Sequence, residues 1–137
     1  AKREAQRHGY DEAIMLDADG RVAEGTGENV FAVHKGRIYT PPLDMPILEG
    51  ITRDSVIHLA KAEGIEIVEQ SFTRDFLYQV SEVFFTGTAS EVTPVREIDN
   101  RAIGTGQPGP VTRKLQAAFA AVVKGPGEPK PEWLRHV

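Results

Sequence analysis

The chain has 137 residues, 40% of them hydrophobic and 26% charged, with a formal net charge of −4. That length supports one domain with a true core, and the mild acidity leaves no basic stripe for nucleic acid and no polybasic run for a membrane surface. The absence of cysteine excludes disulfides and cysteine-based zinc sites and suits a reducing, cytoplasmic setting, and the longest apolar runs, such as AAFAAVV at 117–123, are too short to span a bilayer.

The opening AKREAQRHGY is helix-like and stops at Gly9, a natural helix end. A helix tail in first position predicts that the chain was cut from something longer. Glu12–Asp17 predicts a strand, Asp19-Gly20 a hairpin turn, and Arg21–Ala23 the return. Asn29–His34 (NVFAVH) predicts a second strand, turned by Lys35-Gly36 into Arg37–Thr40. The adjacent prolines of PPLDMP exclude helix. Ile51–Glu63 predicts a helix with Ile51, Val56, Leu59, Ala60 and Ala62 mostly on one face, ended by Gly64. Ile65–Phe72 alternates as a strand, and Thr73 is placed to N-cap a short helix running through Val80. Glu82–Thr86 is an apolar strand ending at Gly87, Glu91–Arg96 another, and Asp99-Asn100 a turn before RAIG. GTGQPGP reads as a surface loop. The helix Val111–Val123 follows, with Val111, Leu115, Ala118, Phe119 and Val122 on one face. The tail GPGEPKPEWLRHV reads as loosely packed, docked by Trp133 and Leu134. Hairpins mixed with single helices, without repeats or clean βα alternation, predict a mixed α/β domain: a curved sheet or pseudo-barrel with outer helices.

Three stretches carry chemistry. Gly50-Ile51-Thr52 stands at a helix start, where free N–H groups, the helix dipole and the Thr52 hydroxyl suit a phosphate; a plain loop end with a cap is equally simple. Gly87-Thr88-Ala89 follows an apolar strand, and the N–H groups of Thr88 and Ala89 can face one anion, or merely turn the chain. EGTGENVF (24–31) has the G-x-G of a phosphate loop, but a phosphate loop opens a helix and the residues that follow are β-like. What remains is Glu24, either a carboxylate fixed near a strand end or a solvent-facing strand residue. His8, His34, His58 and His136 show no metal-ligand spacing, and no nucleophile elbow is present.

In order along the chain, EGTGENVF, IYT (38–40) and LEGITR (48–53) resemble the signature of the class IV aminotransferases, the fold type IV pyridoxal-phosphate enzymes. FTGTASEVTPVR (85–96), with ID (98–99), IG (103–104), GPVT (109–112), GYDE (9–12) and LD (16–17), is similar to the branched-chain amino acid aminotransferases in particular. The resemblance implies the large domain of the D-amino acid aminotransferase-like fold. Residues 1–124 would be the C-terminal part of that pyridoxal 5'-phosphate domain and 125–137 its tail. It implies that Glu24 pairs with the pyridine nitrogen, where an anion keeps the ring protonated as an electron sink. It implies Leu48 under the ring, Gly50, Ile51 and Thr52 around the phosphate, and Gly87 with Thr88 in a second phosphate loop. The N–H groups of Thr88 and Ala89 would face the substrate carboxylate. Arg53 belongs to the signature, yet a cation at a helix start opposes the dipole, and no role follows for it.

The chemistry also needs a Schiff-base lysine, which the resemblance puts upstream of Ala1 together with a small N-terminal domain. Lys2, Lys35, Lys61, Lys114, Lys124 and Lys130 do not match it. The implied function is transamination of leucine, isoleucine or valine with 2-oxoglutarate by a homodimer or larger assembly of the full-length enzyme, with this piece inactive alone. The alternatives are a D-amino acid aminotransferase or aminodeoxychorismate lyase of the same fold, and a non-catalytic module that binds a phosphorylated ligand or a protein partner.

Overall fold

The computed structural model describes residues 2–7, 9–25, 28–42, 50–87, 91–124 and 135–136. After the short helix α1 (Lys2–Arg7), strands β1 (Ile14–Leu16) and β2 (Val22–Gly25) form an antiparallel hairpin. Its turn is organised by Asp17. One carboxylate oxygen accepts the backbone N–H groups of Asp19 and Arg21, both at 2.9 Å, and the other accepts Arg21 Nε at 3.0 Å. Gly20 takes the left-handed conformation (φ +79°) that the tight turn requires.

The main sheet contains β3 (Asn29–His34), β4 (Arg37–Thr40), β5 (Ile67–Glu69), β6 (Glu82–Gly87), β7 (Glu91–Ile98) and β8 (Arg101–Ala102), in the spatial order β5-β4-β3-β6-β7-β8, and β9 (Arg135–His136) also pairs with β7. Two hairpins have left-handed residues at both turn positions, Lys35 (φ 51°) with Gly36 (φ 78°) and Asp99 (φ 51°) with Asn100 (φ 65°). Such turns match the twist of the strands they join. Between β4 and β5 the helix α2 (Ile51–Ala62) makes a crossover, and the two strands are parallel, Ile38 opposite Ile67.

Side chains alternate across the sheet, so each strand feeds two cores. Val30, Ala32, Val83 and Phe85 face one cluster with Val22 of β2, Phe72, and Leu77 of the short helix α3 (Arg74–Leu77). Phe31, Val33 and Phe84 face the other, with Val56 and Ala60 of α2 and Leu115 and Phe119 of α4 (Pro110–Lys124). Phe31 and Phe84 stack with centroids 4.9 Å apart and planes 4° from parallel. Each fully buried phenyl group contributes about 2–3 kcal/mol, and the stack about 1 kcal/mol more.

The start of α4 is held from outside the helix. Glu82, buried on β6, accepts the Thr112 N–H at 2.8 Å, the Thr112 hydroxyl at 2.7 Å and the Val111 N–H at 3.2 Å. Position 109 is glycine because any side chain there would collide with the Glu82 carboxylate.

The expected mixed α/β fold is present, with the long helices α2 and α4 packed on one face of the sheet. Several details differ from the sequence expectations. The first strand shortens to Ile14–Leu16, while its partner runs on through Glu24 and Gly25. The strand expected over Ile65–Phe72 pairs only at Ile67–Glu69, because Phe72 turns away to accept the Val22 N–H at 2.8 Å. The helix after Thr73 stops at Leu77, and Thr73 makes no side-chain cap. GTGQPGP is not simply a surface loop: Gly106 and Pro108 are buried, and Gly104 lies against the Ser81 carbonyl. Val122 is 69% exposed, since the last turn of α4 runs past the core. The tail returns to the sheet at Arg135–His136, alongside β7; Trp133 and Leu134 lie outside the described residues. No described helix is long and apolar enough to cross a membrane.

Two outcomes test these anchors. Glu82→Ala, which leaves two buried donors and one part-buried donor without their acceptor, is expected to lower stability by about 2–3 kcal/mol in urea unfolding, with Glu82→Gln retaining part of that loss. The hydrogen bond from the Arg21 backbone, aided by those from Asp19 and the Arg21 side chain, holds the Asp17 carboxyl below its usual range. A depressed folded pKa adds stability above the ordinary aspartate value of about 4, and that gain is lost as pH falls below it. The stability difference between the native protein and Asp17→Asn is therefore expected to be full at neutral pH and to shrink in acid unfolding titrations.

Candidate functional site

Three stretches far apart in sequence meet at one end of the main sheet. Asn29, the first residue of β3, lies opposite Thr86 at the end of β6. Gly50, preceding α2, approaches the Asn29 side chain so closely that a Cβ would stand 2.5 Å from Asn29 Oδ1. Gly25, ending β2, lies against the ring of Phe85, where a Cβ would stand 2.9 Å from Cε1. Neither glycine has positive φ, so both are required by close approach and not by backbone conformation.

Glu24 sits inside β2, opposite Met15, and is only 9% exposed. The solvent-facing alternative is thereby removed. Immediately after it, Gly25 and Glu28 exchange backbone hydrogen bonds at 2.9 and 3.3 Å, and the chain enters β3. A tight reversal into a strand is incompatible with a phosphate loop opening a helix.

The start of α2 has the form of an anion site. Gly50 is extended (φ −99°, ψ 137°) and, as a glycine, offers no side chain of its own to cap the first-turn N–H groups of α2. Thr52 is 7% exposed. Gly87 is the last residue of β6, half-buried opposite Glu91. Leu48, Thr88 and Ala89 lie outside the described residues.

Sequence reasoning passed over one participant, Asn29, and left another, Arg53, without a role. Asn29 is buried and stands between α2 and β6; its signal was a polar amide opening an otherwise apolar strand. Arg53 is 1% exposed. Its Nη2 donates to Glu69 Oε1 at 2.8 Å and to the Pro41 carbonyl at 3.1 Å. The cation that seemed misplaced at a helix start is thus buried and partnered across the sheet edge.

The family described as amino-transferase class IV matches residues 1–98. The chain belongs to the class IV aminotransferases. It is 50% identical over 134 residues to the branched-chain-amino-acid aminotransferase of Escherichia coli K12, an alignment that spans 98% of this chain and 43% of that protein. The crystal structure of the Escherichia coli branched-chain amino acid aminotransferase superposes with a TM-score of 0.88 at 50% identity, over 96% of this chain and 44% of that one. The branched-chain amino acid aminotransferase of Thermobaculum terrenum, in its PLP-bound holo-form, superposes with a TM-score of 0.88 at 46% identity, over 91% and 41%. This class IV aminotransferase chain therefore spans less than half the length of the relatives it matches.

The donor set fits a ligand with an anionic tail and a basic ring. A helix start preceded by a glycine stands at one corner, and a buried carboxylate stands at another, on the neighbouring hairpin. The close approach at Gly50 also has a testable consequence. Gly50→Ala must displace the buried Asn29 amide and is expected to cost about 1–2 kcal/mol. In an Asn29→Ala background the same substitution should cost clearly less, as a double-mutant cycle by urea unfolding would measure.

Proposed function

We propose that this chain is the cofactor-holding part of a branched-chain amino acid aminotransferase. In the full-length enzyme it binds pyridoxal 5'-phosphate and serves the exchange of an amino group between leucine, isoleucine or valine and 2-oxoglutarate. The observation that carries the reading is a buried Glu24, on the hairpin whose Gly25 packs against Phe85, near the sheet end where α2 starts at Gly50 beside Asn29. The branched-chain relatives at about half identity support the substrate class, and the Thermobaculum terrenum holo-form supports the cofactor.

When bound, the cofactor supplies an electron sink that makes the substrate α-proton removable. The chain's residues hold it from both ends. The N–H groups of Ile51 and Thr52, the Thr52 hydroxyl, and Gly87 with Thr88 would hold the phosphate, aided by the helix dipole. Leu48 supports the ring. The Glu24 carboxylate accepts from the ring nitrogen and keeps a proton there. Burial strengthens this interaction, because little water screens it. The N–H groups of Thr88 and Ala89 orient the substrate carboxylate. The proton-transferring lysine and the rest of the substrate pocket belong to the part of the relatives' length that this chain does not span. The same reading makes the working enzyme a cytoplasmic homodimer or larger homo-oligomer, with residues 1–124 in its large domain and 125–137 as a tail.

Glu24→Gln in the full-length enzyme is the direct test. Turnover of L-leucine with 2-oxoglutarate is expected to fall about 100-fold or more, the scale of a lost proton-holding group, while cofactor affinity falls far less because the phosphate end is intact. D-alanine should be a poor substrate for the native enzyme. Near-normal turnover in the variant, or preference for D-alanine, contradicts the proposal.

A further inference from the structure

Arg53 is the least economical residue in the chain. Burying a guanidinium costs several kcal/mol, and a cation in the first turn of a helix opposes the positive end of the dipole. An apolar side chain of similar volume would fill the same space without either cost. Arg53 nevertheless sits at the third helical position of α2, among the largest fully buried side chains.

Its contacts point to a purpose. The Pro41 carbonyl that accepts from Nη2 lies just past β4, where the chain leaves the sheet for the connection to α2. Glu69, on the same nitrogen, ends β5. Asp54 Oδ1 stands 3.7 Å from Nη1. One guanidinium therefore ties the exit of the connecting segment, its re-entry at residues 50–52, and the edge strand. The charge is incompletely balanced. Its two carboxylate partners are about half in water, 47% exposed for Glu69 and 53% for Asp54, so solvent weakens their field. Arg53 Nε is buried and without a hydrogen-bond partner among the described residues.

We propose that Arg53 is a positioning residue for the anion turn: it fixes residues 50–52 against β4 and β5 and adds positive potential there, so that the turn favours a doubly charged phosphate. This rests on the reading that the cofactor phosphate lies at that turn. Arg53 acts through the turn and need not touch the ligand. The guanidinium reaches in two directions at once, Nη2 to the Pro41 carbonyl and the Glu69 carboxylate and Nη1 toward Asp54.

The test uses the full-length apoenzyme, titrated with pyridoxal 5'-phosphate and, separately, with pyridoxal, which lacks the phosphate. Arg53→Met is expected to weaken the phosphorylated ligand about tenfold or more, leave pyridoxal within about twofold, and shift the 31P resonance of the bound cofactor; tenfold corresponds to about 1.4 kcal/mol. Arg53→Lys should recover part of the difference by restoring the charge. If Arg53→Met lowers only the melting temperature, with the ratio of the two affinities and the 31P resonance unchanged, Arg53 is a fold strut and the proposal fails. Glu69→Gln keeps an acceptor for Nη2 while removing a half-exposed negative charge, so it serves if Arg53→Met does not fold. It should raise the preference for the phosphorylated ligand, and an unchanged or lowered preference overturns the electrostatic role. Thr52→Val separates the two levels. If it too leaves the ratio unchanged, the phosphate is not at this turn and the functional reading itself falls; if it lowers the ratio while Arg53→Met does not, only the role of Arg53 falls.

Discussion

The contact between Gly50 and the Asn29 side chain governs the geometry of the site. A helix start can approach a strand this closely only if its last loop residue has no Cβ, and the strand must offer a polar side chain there instead of a bulky one. Gly50 meets the first need and Asn29 the second, from the first position of β3, and its cross-strand neighbour Thr86 leads directly into Gly87. One junction thereby places the α2 turn beside the end of β6. The Gly25 contact with Phe85 brings the Glu24 hairpin to the same end by a second close approach. The two cores stabilise the sheet, but these glycines set where its ends can meet.

Charge is distributed to match. The α2 start has backbone N–H groups, a dipole and the buried Arg53 on one side of the junction, and the hairpin has a buried carboxylate on the other. Both lie where water is scarce, so each acts at greater strength than it would on the surface. The anchors outside the site serve the same end. Asp17 fixes the hairpin that carries Glu24, and Glu82 caps the helix that packs beside α2 on the sheet.

Much of this was legible in the sequence because local signals were strong. The Asp19-Gly20 and Lys35-Gly36 turns, the apolar alternation of NVFAVH, and the helical period after Gly50 each depend on neighbours in the chain. The ordered blocks resembling class IV aminotransferases supplied the family, which the match over residues 1–98 bears out. What the sequence could not show depends on distant pairs. Glycine 109 looked like loop composition until Glu82 was found in the space it leaves. Arg53 looked misplaced because Pro41 and Glu69 become its partners only through the β4–α2–β5 crossover. The strand at Ile65–Phe72 was overestimated because period alone cannot say that Phe72 is diverted to Val22. Asn29 was passed over because a lone amide at a strand start carries no periodic signal.

The proposed function requires one cofactor to be held between Glu24 and the α2 start. A crystal structure of the full-length enzyme with pyridoxal 5'-phosphate tests it most directly. A Glu24 carboxylate oxygen is expected at about 2.7–2.9 Å from the ring nitrogen, with phosphate oxygens on the N–H groups of Ile51 and Thr52. A phosphate bound away from α2, or a Glu24 side chain turned from the ring, would contradict it.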